Sequence, residues 1–230
     1  MNKNLDSIIT TLKEQGLDYR GAFHPISSDS VPDCGFDAGT VVLVGNIGGA
    51  MWPAFEAGRR DEPNALDNWT KRVLGKISGD LETEFGKISV FYPSDGPPYM
   101  PFQQWAMRAD TVYPSPIGAL VHPDHGLWHA YRGAMVFKTK LEIPEKPLRT
   151  SPCDSCEEKP CLHTCPVNAF VVGSYDTKRC AAHMTTDTGD DCLKYGCLAR
   201  GACPIGPWRP YPEAQTRFHM GIFRDKHAPK

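Results

Sequence analysis

The 230-residue chain has no stretch approaching roughly eighteen consecutive apolar residues, so no membrane-spanning helix and no membrane partner are expected. The opening MNKNLDSIITTLKEQG lacks the apolar core of a secretion signal, and a cytoplasmic protein is the expectation. An excess of either charge is missing too. With 25 Lys and Arg against 27 Asp and Glu, the formal net charge is −2, which offers no electrostatic footprint for nucleic acid, and no nucleic-acid partner is expected. Cysteine is scarce over most of the chain. Of nine cysteines, Cys34 alone lies outside residues 153–203, and it reads either as a reactive thiol or as a packing residue.

What is present is therefore concentrated. Residues 153–203 read CDSCEEKPCLHTCPVNAF, then YDTKRC, then DDCLKYGCLARGACP. The first run is C-x2-C-x4-C-x3-C-P, formed by Cys153, Cys156, Cys161, Cys165 and Pro166. The second is looser, with Cys180, Cys192, Cys197 and Cys203 closed by Pro204. Two Cys-Pro pairs, each ending a cysteine run, mark a bacterial-type two-cluster ferredoxin, in which the Cys before proline ligates the other cluster. A cubane has four iron corners, and a tight loop wraps three of them more easily than the fourth. The expected sets are thus Cys153, Cys156 and Cys161 with Cys203, and Cys165 with Cys180, Cys192 and Cys197. Disulfides would need an oxidising compartment. Zinc usually takes two separated C-x2-C pairs, not four cysteines within thirteen residues. Two [4Fe-4S] clusters are the favoured reading.

The rest of the chain reads as mixed α and β structure. Residues 4–15 form an amphipathic helix through Leu5, Ile8, Ile9 and Leu12. Residues 19–24 suit a strand, and TVVLVG at 40–45 a buried central strand closed by the turn GNIGG. Residues 61–86 form the clearest helix, with Leu66, Trp69, Val73, Ile77, Leu81 and Phe85 in one stripe. Residues 88–92 give the next strand, making a strand–helix–strand unit, and a short helix follows at 102–110. Residues 117–121, the turn HPDHG and residues 127–138 read as a β-hairpin. His122, Asp124, His125 and His129 gather there; they read as turn composition, with metal ligation the lesser alternative. A Pro-rich linker, LEIPEKPLRTSP, leads into the first cysteine run. The last 23 residues carry Trp208, Tyr211, Phe218, Ile222 and Phe223 among basic residues, as a partner-binding tail or a segment packed on the cluster domain.

This order of parts resembles the epoxyqueuosine reductase and reductive dehalogenase group. The residues that carry the resemblance are Arg108-Ala109, His122-Pro123, Gly126, Trp128, Tyr195-Gly196-Cys197 and Cys203-Pro204. It implies an α+β chain: a layered, nitroreductase-like domain over 1–146, then a two-[4Fe-4S] ferredoxin domain over 147–230. In that group the first domain holds cobalamin beside one cluster, and electrons pass from clusters to cobalt. The group's general acid falls near Asp95. Three departures stand out. Two extra residues precede Cys161; the glycine-rich G-x-G-W-I-G-K stretch is replaced by Asp110-Thr-Val-Tyr-Pro-Ser-Pro116; and the helical-repeat extension that longer members use on tRNA is missing from the sequence. The expected function is iron–sulfur electron transfer with a redox partner protein as donor or acceptor. A cobalamin- or flavin-dependent reductase using the clusters as a relay is the alternative, and clusters acting only as structural staples a third reading. Asp95, Arg108, Tyr113 and His122 are the expected lining of an organic-cofactor pocket, Arg108 for a phosphate or carboxylate and Asp95 as proton donor. The competing reading gives Arg108 a structural ion pair and leaves Asp95 to start a turn.

Overall fold

The computed structural model describes residues 5–206 and 211–229. Asn4, at the head of the first expected helix, and Trp208 lie outside the described residues. In chain order the elements are α1 (Asp6–Glu14), β1 (Asp18–Phe23), β2 (Thr40–Ile47), α2 (Trp52–Gly58), α3 (Ala65–Phe85), β3 (Ile88–Phe91) and α4 (Phe102–Ala109). Next come β4 (Tyr113–Pro114), β5 (Leu120–Val121), β6 (His129–Phe137), α5 (Pro160–His163), β7 (Phe170–Val171) and β8 (Ser174–Tyr175). The chain ends with α6 (Thr177–His183), α7 (Asp190–Tyr195), α8 (Leu198–Gly201) and α9 (Glu213–His227). Two compact units emerge, and both are discontinuous. The first joins Met1–Thr111 to His129–Leu148, and the second joins Val112–Trp128 to Arg149–Lys230, in place of a single cut near residue 146.

The first unit is built on a four-stranded sheet in the order β1-β2-β6-β3, antiparallel at every pairing. β2 and β3 are therefore not neighbours, because β6 occupies the slot between them. The apolar run of β2 explains its place: Val41, Val42, Leu43 and Val44 are all fully buried, which suits a strand covered on both faces. Ala134, Met135, Val136 and Phe137 of β6 are equally buried beside them. α3 packs against β3 and β6, with Phe85 edge-on to Phe137 at 5.8 Å. α1 and α4 pack against β1.

Three expectations need correction here. The long helix begins at Ala65 and not at 61, because Asn64 takes a left-handed conformation (φ 52°) that cannot continue a helix. Its buried stripe runs through Leu66, Trp69, Thr70, Leu74, Ile77, Leu81 and Phe85, and Val73 is only half-buried. The strand of residues 40–45 does not end in a turn at Gly45. It continues to Ile47, and a register shift between Val44 and Gly45 marks a bulge there. A Cβ at Gly45 would sit 2.0 Å from the Ala130 carbonyl oxygen, so only glycine fits the bulge. Finally, the hairpin of 117–138 does not form. β5 pairs with β4, β6 pairs with β2 and β3, and the intervening HPDHG turn is closed by the isolated His122–Gly126 bridge. The burial of β6 drives this outcome: a two-strand ribbon could not cover its apolar residues, whereas the centre of the larger sheet does.

The second unit is made of short helices and turns around two cavities. The reversal at 122–126 is held against the chain after Cys203, where a Cβ on Gly126 (φ 57°) would meet the Ile205 carbonyl oxygen at 1.9 Å. Arg200 Nε donates to the Leu127 carbonyl at 2.8 Å while its guanidinium covers the Trp128 ring at 4.4 Å. α9 packs against α6 and α7. Among the described residues, no helix is long and apolar enough to cross a membrane.

Truncating Leu43 to Ala at the centre of the sheet should cost about 2–5 kcal/mol, the range for a buried leucine whose site cannot collapse. The half-buried Val73→Ala should cost about 1 kcal/mol or less. Urea midpoints with unchanged slopes would report both. Equal losses at the two positions would contradict the burial described.

Candidate metal centres

All nine cysteines are free. Eight of them divide between two cavities. The first, about 370 Å³, is lined by Cys153, Cys156, Cys161 and Cys203 together with Ser115, Pro116, Val121, Leu127, Lys159 and Ile205. The second, about 290 Å³, is lined by Cys165, Cys180, Cys192 and Cys197 with Pro166, Val167, Phe170, His183 and Met220. Each cavity takes three cysteines from one part of the sequence and one from the other.

Local structure explains how. Cys161 lies on α5 and Cys165 just beyond its end, so four residues of helix and turn carry the chain from one cavity to the next. Lys159, left-handed at φ 44°, starts that helix, and its ammonium donates to the carbonyls of Cys153 and Cys156, folding the first loop back on itself. Asp176 caps α6 by accepting from the Arg179 N–H at 2.9 Å, which sets Cys180 one turn in. Cys192 lies on α7; Gly196 (φ 82°) ends that helix and turns the chain so that Cys197 precedes α8. Cys203 follows α8.

Burial raises particular thiols in each set. Burial first, and then neighbouring Cys203, Cys161 and Cys156, raise the Cys153 thiol. Burial followed by Cys197, Cys180 and Cys165 pushes Cys192 up to about 12. Against this stand several hydrogen bonds to sulfur. The Ala169 N–H meets Cys165 Sγ at 3.3 Å, the Tyr175 hydroxyl donates to Cys180, and backbone groups at Arg200 and Ile205 reach Cys197 and Cys203. Tyr175 is stacked on Phe170 at 4.3 Å. Buried thiols with hydrogen-bonded sulfurs and a nearby ammonium suit a cationic group that deprotonates its ligands. Among the described residues, no three or more His, Cys, Asp or Glu gather as a site for a single metal ion. That holds equally for His122, Asp124 and His125 in their turn, where His122 Nδ1 accepts from the Asp124 N–H at 3.0 Å.

The four other candidate residues are differently engaged. Asp95 and Arg108 belong to the first unit, Tyr113 and His122 to the second. Arg108 Nη1 grips both oxygens of buried Asp29, at 2.6 and 2.5 Å, and its guanidinium covers Phe23 at 4.9 Å. Asp95 pairs with Lys71 at 2.6 Å, and its N–H closes a turn onto the Tyr92 carbonyl. The Tyr113 hydroxyl donates to the Arg149 carbonyl, and His122 stacks on His125 at 4.4 Å. Sequence reasoning missed the wall supplied by residues 112–128, and with it Ser115. It also missed Lys159, Tyr175 and His183, none of which stands in a pattern that spacing alone would single out.

No protein-family model matches the sequence, and no curated protein sequence does. Solved structures do match.

In fold, the chain resembles epoxyqueuosine reductase.

The Bacillus subtilis epoxyqueuosine reductase matches with TM-score 0.51 and 16% identity, over 91% of this chain and 69% of that one. A C. elegans B12-trafficking protein, CblC, a human MMACHC homologue, matches with TM-score 0.54 and 14% identity, over 95% of this chain and 94% of that one. An epoxyqueuosine reductase solved with a modified tRNA-Tyr stem loop matches with TM-score 0.49 and 16% identity, over 87% of this chain and 66% of that one. The chain thus spans about two thirds of the epoxyqueuosine reductases' length. The expected exclusion of a nucleic-acid partner does not stand. A net charge summed over 230 residues is blind to local patches, so it never carried that exclusion.

Removing the Arg108 side chain would leave the Asp29 carboxylate, which is only 7% exposed, with the Ile26 N–H at 2.8 Å but without its cationic partner. Arg108→Ala should therefore lower stability by about 1–3 kcal/mol, the usual range for losing a hydrogen bond to a charged group. A thermal midpoint equal to wild type would show that the ion pair contributes nothing to folding.

Proposed function

We propose that the protein is an iron–sulfur redox protein with two [4Fe-4S] clusters, in a ferredoxin-like domain that follows a layered, nitroreductase-like one. One cluster is held by Cys153, Cys156, Cys161 and Cys203, the other by Cys165, Cys180, Cys192 and Cys197. The observation that carries this reading is the division of eight cysteines into two four-cysteine cavities, each drawing one cysteine from the other's run. A cubane needs four thiolates spread around a body larger than one ion, whereas zinc usually takes two well-separated C-x2-C pairs.

The fit is chemical as well as geometric. Such clusters, when bound, accept and release single electrons. The chain's own residues hold the thiolates in place, exclude water and direct N–H and O–H groups at sulfur. Pro116, Val121, Leu127 and Ile205 keep the first cavity apolar, and Phe170, Val167 and Met220 the second. Lys159 places an ammonium beside the first set, and charge and hydrogen bonding of this kind set the potential. A redox partner protein supplies or accepts the electrons, and the reducing cytoplasm suits nine free cysteines.

Anaerobically reconstituted protein should carry about eight irons and eight sulfides per chain, four per cubane. Stoichiometric zinc with little iron would rule the reading out. Cys203→Ala should disturb first the EPR signal of the cluster held by Cys153, Cys156 and Cys161, and Cys165→Ala the signal of the other. Were both variants to disturb the same signal, the ligand assignment would be wrong.

A second reading, a cobalamin-dependent reductase with the clusters as relay, is favoured by the B12-trafficking structure matched over nearly the whole chain. It would give Asp95, Arg108, Tyr113 and His122 the roles of cofactor lining and proton donor. The residues fit it less well. Where the related reductases carry glycines, Asp110 accepts from Arg20 at 2.6 Å and from the Tyr131 hydroxyl at 2.9 Å, and the chain continues with side chains through Pro116. Titration of the reconstituted protein with cobalamin and with flavins decides: saturable corrin binding would favour the reductase, and no binding by either leaves electron transfer.

A further inference from the structure

Each cysteine-lined cavity has one buried polar side-chain atom in its wall with no hydrogen-bond partner. In the first it is Ser115 Oγ, and in the second His183 Nε2. Leaving such an atom unpaired costs about 1–3 kcal/mol, and folded chains seldom carry the cost without a reason. Other such atoms, Ser7 Oγ and both amide atoms of Gln215 among them, lie outside these linings, and Ser115 and His183 are set apart by their place in the cysteine cavities.

The backbone at both positions is independently fixed, so neither side chain is needed to make its own turn. The Ser115 N–H donates to Ala119 O at 3.0 Å, and its carbonyl accepts the Gly118 N–H at 3.0 Å. The His183 carbonyl accepts the Thr186 N–H at 3.0 Å and the Thr186 hydroxyl at 2.7 Å. Gly189 presses against the same carbonyl, where a Cβ would come within 2.0 Å of the oxygen. His183 also lies three residues after Cys180 on α6, so the two project to the same side of the helix. The remaining lining of both cavities is mostly proline, aliphatic and aromatic, and sulfur is the acceptor left to these two donors.

We propose that Ser115 and His183 are potential-tuning residues, each donating a hydrogen bond to the sulfur of one cluster: Ser115 through its hydroxyl, His183 through its Nε2–H. The proposal rests on the two-cluster reading above. A donor aimed at sulfur stabilises the reduced cluster, which carries one more negative charge, more than the oxidised one. Each therefore raises the potential of its own cluster. A hydroxyl and an imidazole N–H differ in strength, so the pair also sets the two potentials apart.

The test is an EPR-monitored redox titration of the full-length, anaerobically reconstituted chain, with iron counted on the same samples. Ser115→Ala should lower the potential of the cluster held by Cys153, Cys156, Cys161 and Cys203, and leave the other unchanged. His183→Leu should do the reverse. A tenfold change in the reduction equilibrium, about 59 mV for one electron, is the size expected. Ser115→Thr and His183→Gln keep a donor and should restore potentials close to wild type. Fully loaded Ala and Leu variants with both potentials unmoved would overturn the proposal, as would a shift of both clusters in either variant. If an apolar variant fails to load iron, its donor-retaining partner decides: a wild-type potential upholds the idea, and a lowered one overturns it. Wild-type protein that takes up no iron would instead remove the two-cluster reading itself.

Discussion

Thiols gathered in apolar cavities resist ionisation unless a positive group joins them, and much of the second unit bears on that constraint. Burial first, and then the neighbouring cysteines, raise the Cys192 thiol. The chain compensates with what it can place nearby: the Lys159 ammonium, the Ala169 N–H on Cys165 and the Tyr175 hydroxyl on Cys180. These groups weaken the penalty without removing it. The helices of this unit before α9 are correspondingly short, because their task is to aim one or two sulfurs each and not to build a long core.

The same demand explains why the chain is divided as it is. Residues 112–128 are separated from the first cysteine run by the whole of β6, yet they belong to the second unit. They supply Ser115, Pro116, Val121 and Leu127 to the wall of the first cavity, and Gly126 lets their turn lie against Ile205. β6, meanwhile, is apolar along its C-terminal half and is drawn into the centre of the other unit's sheet. One continuous stretch of sequence thus serves two bodies, and the change of allegiance falls between Trp128 and His129.

Much of this was legible beforehand. The cysteine runs could be grouped four and four because the Cys-Pro pairs and tight spacings reflect local loop geometry, which short sequence carries. The buried strand at Val41–Val44 and the helix stripe from Leu66 to Phe85 were readable for the same reason, since period and apolarity are local. The hairpin at 117–138 was misread because two apolar stretches flanking HPDHG satisfy the hairpin pattern whether or not they pair. Asp95 and Arg108 resembled site residues, but their engagement with Lys71 and Asp29 joins positions 24 and 79 residues apart. No local rule supplies such pairs.

The sequence by itself determined which atoms are available: eight thiols in two runs, a strand too apolar for any edge, glycines where backbones meet. Only the tertiary structure decided which of those atoms share a cavity, which polar atoms are left without a hydrogen-bond partner in its wall, and which strand lies beside β2. The physical reason is range. Spacing and periodicity act over a few residues, whereas partner choice is settled by burial, and burial depends on everything else that must be covered at once.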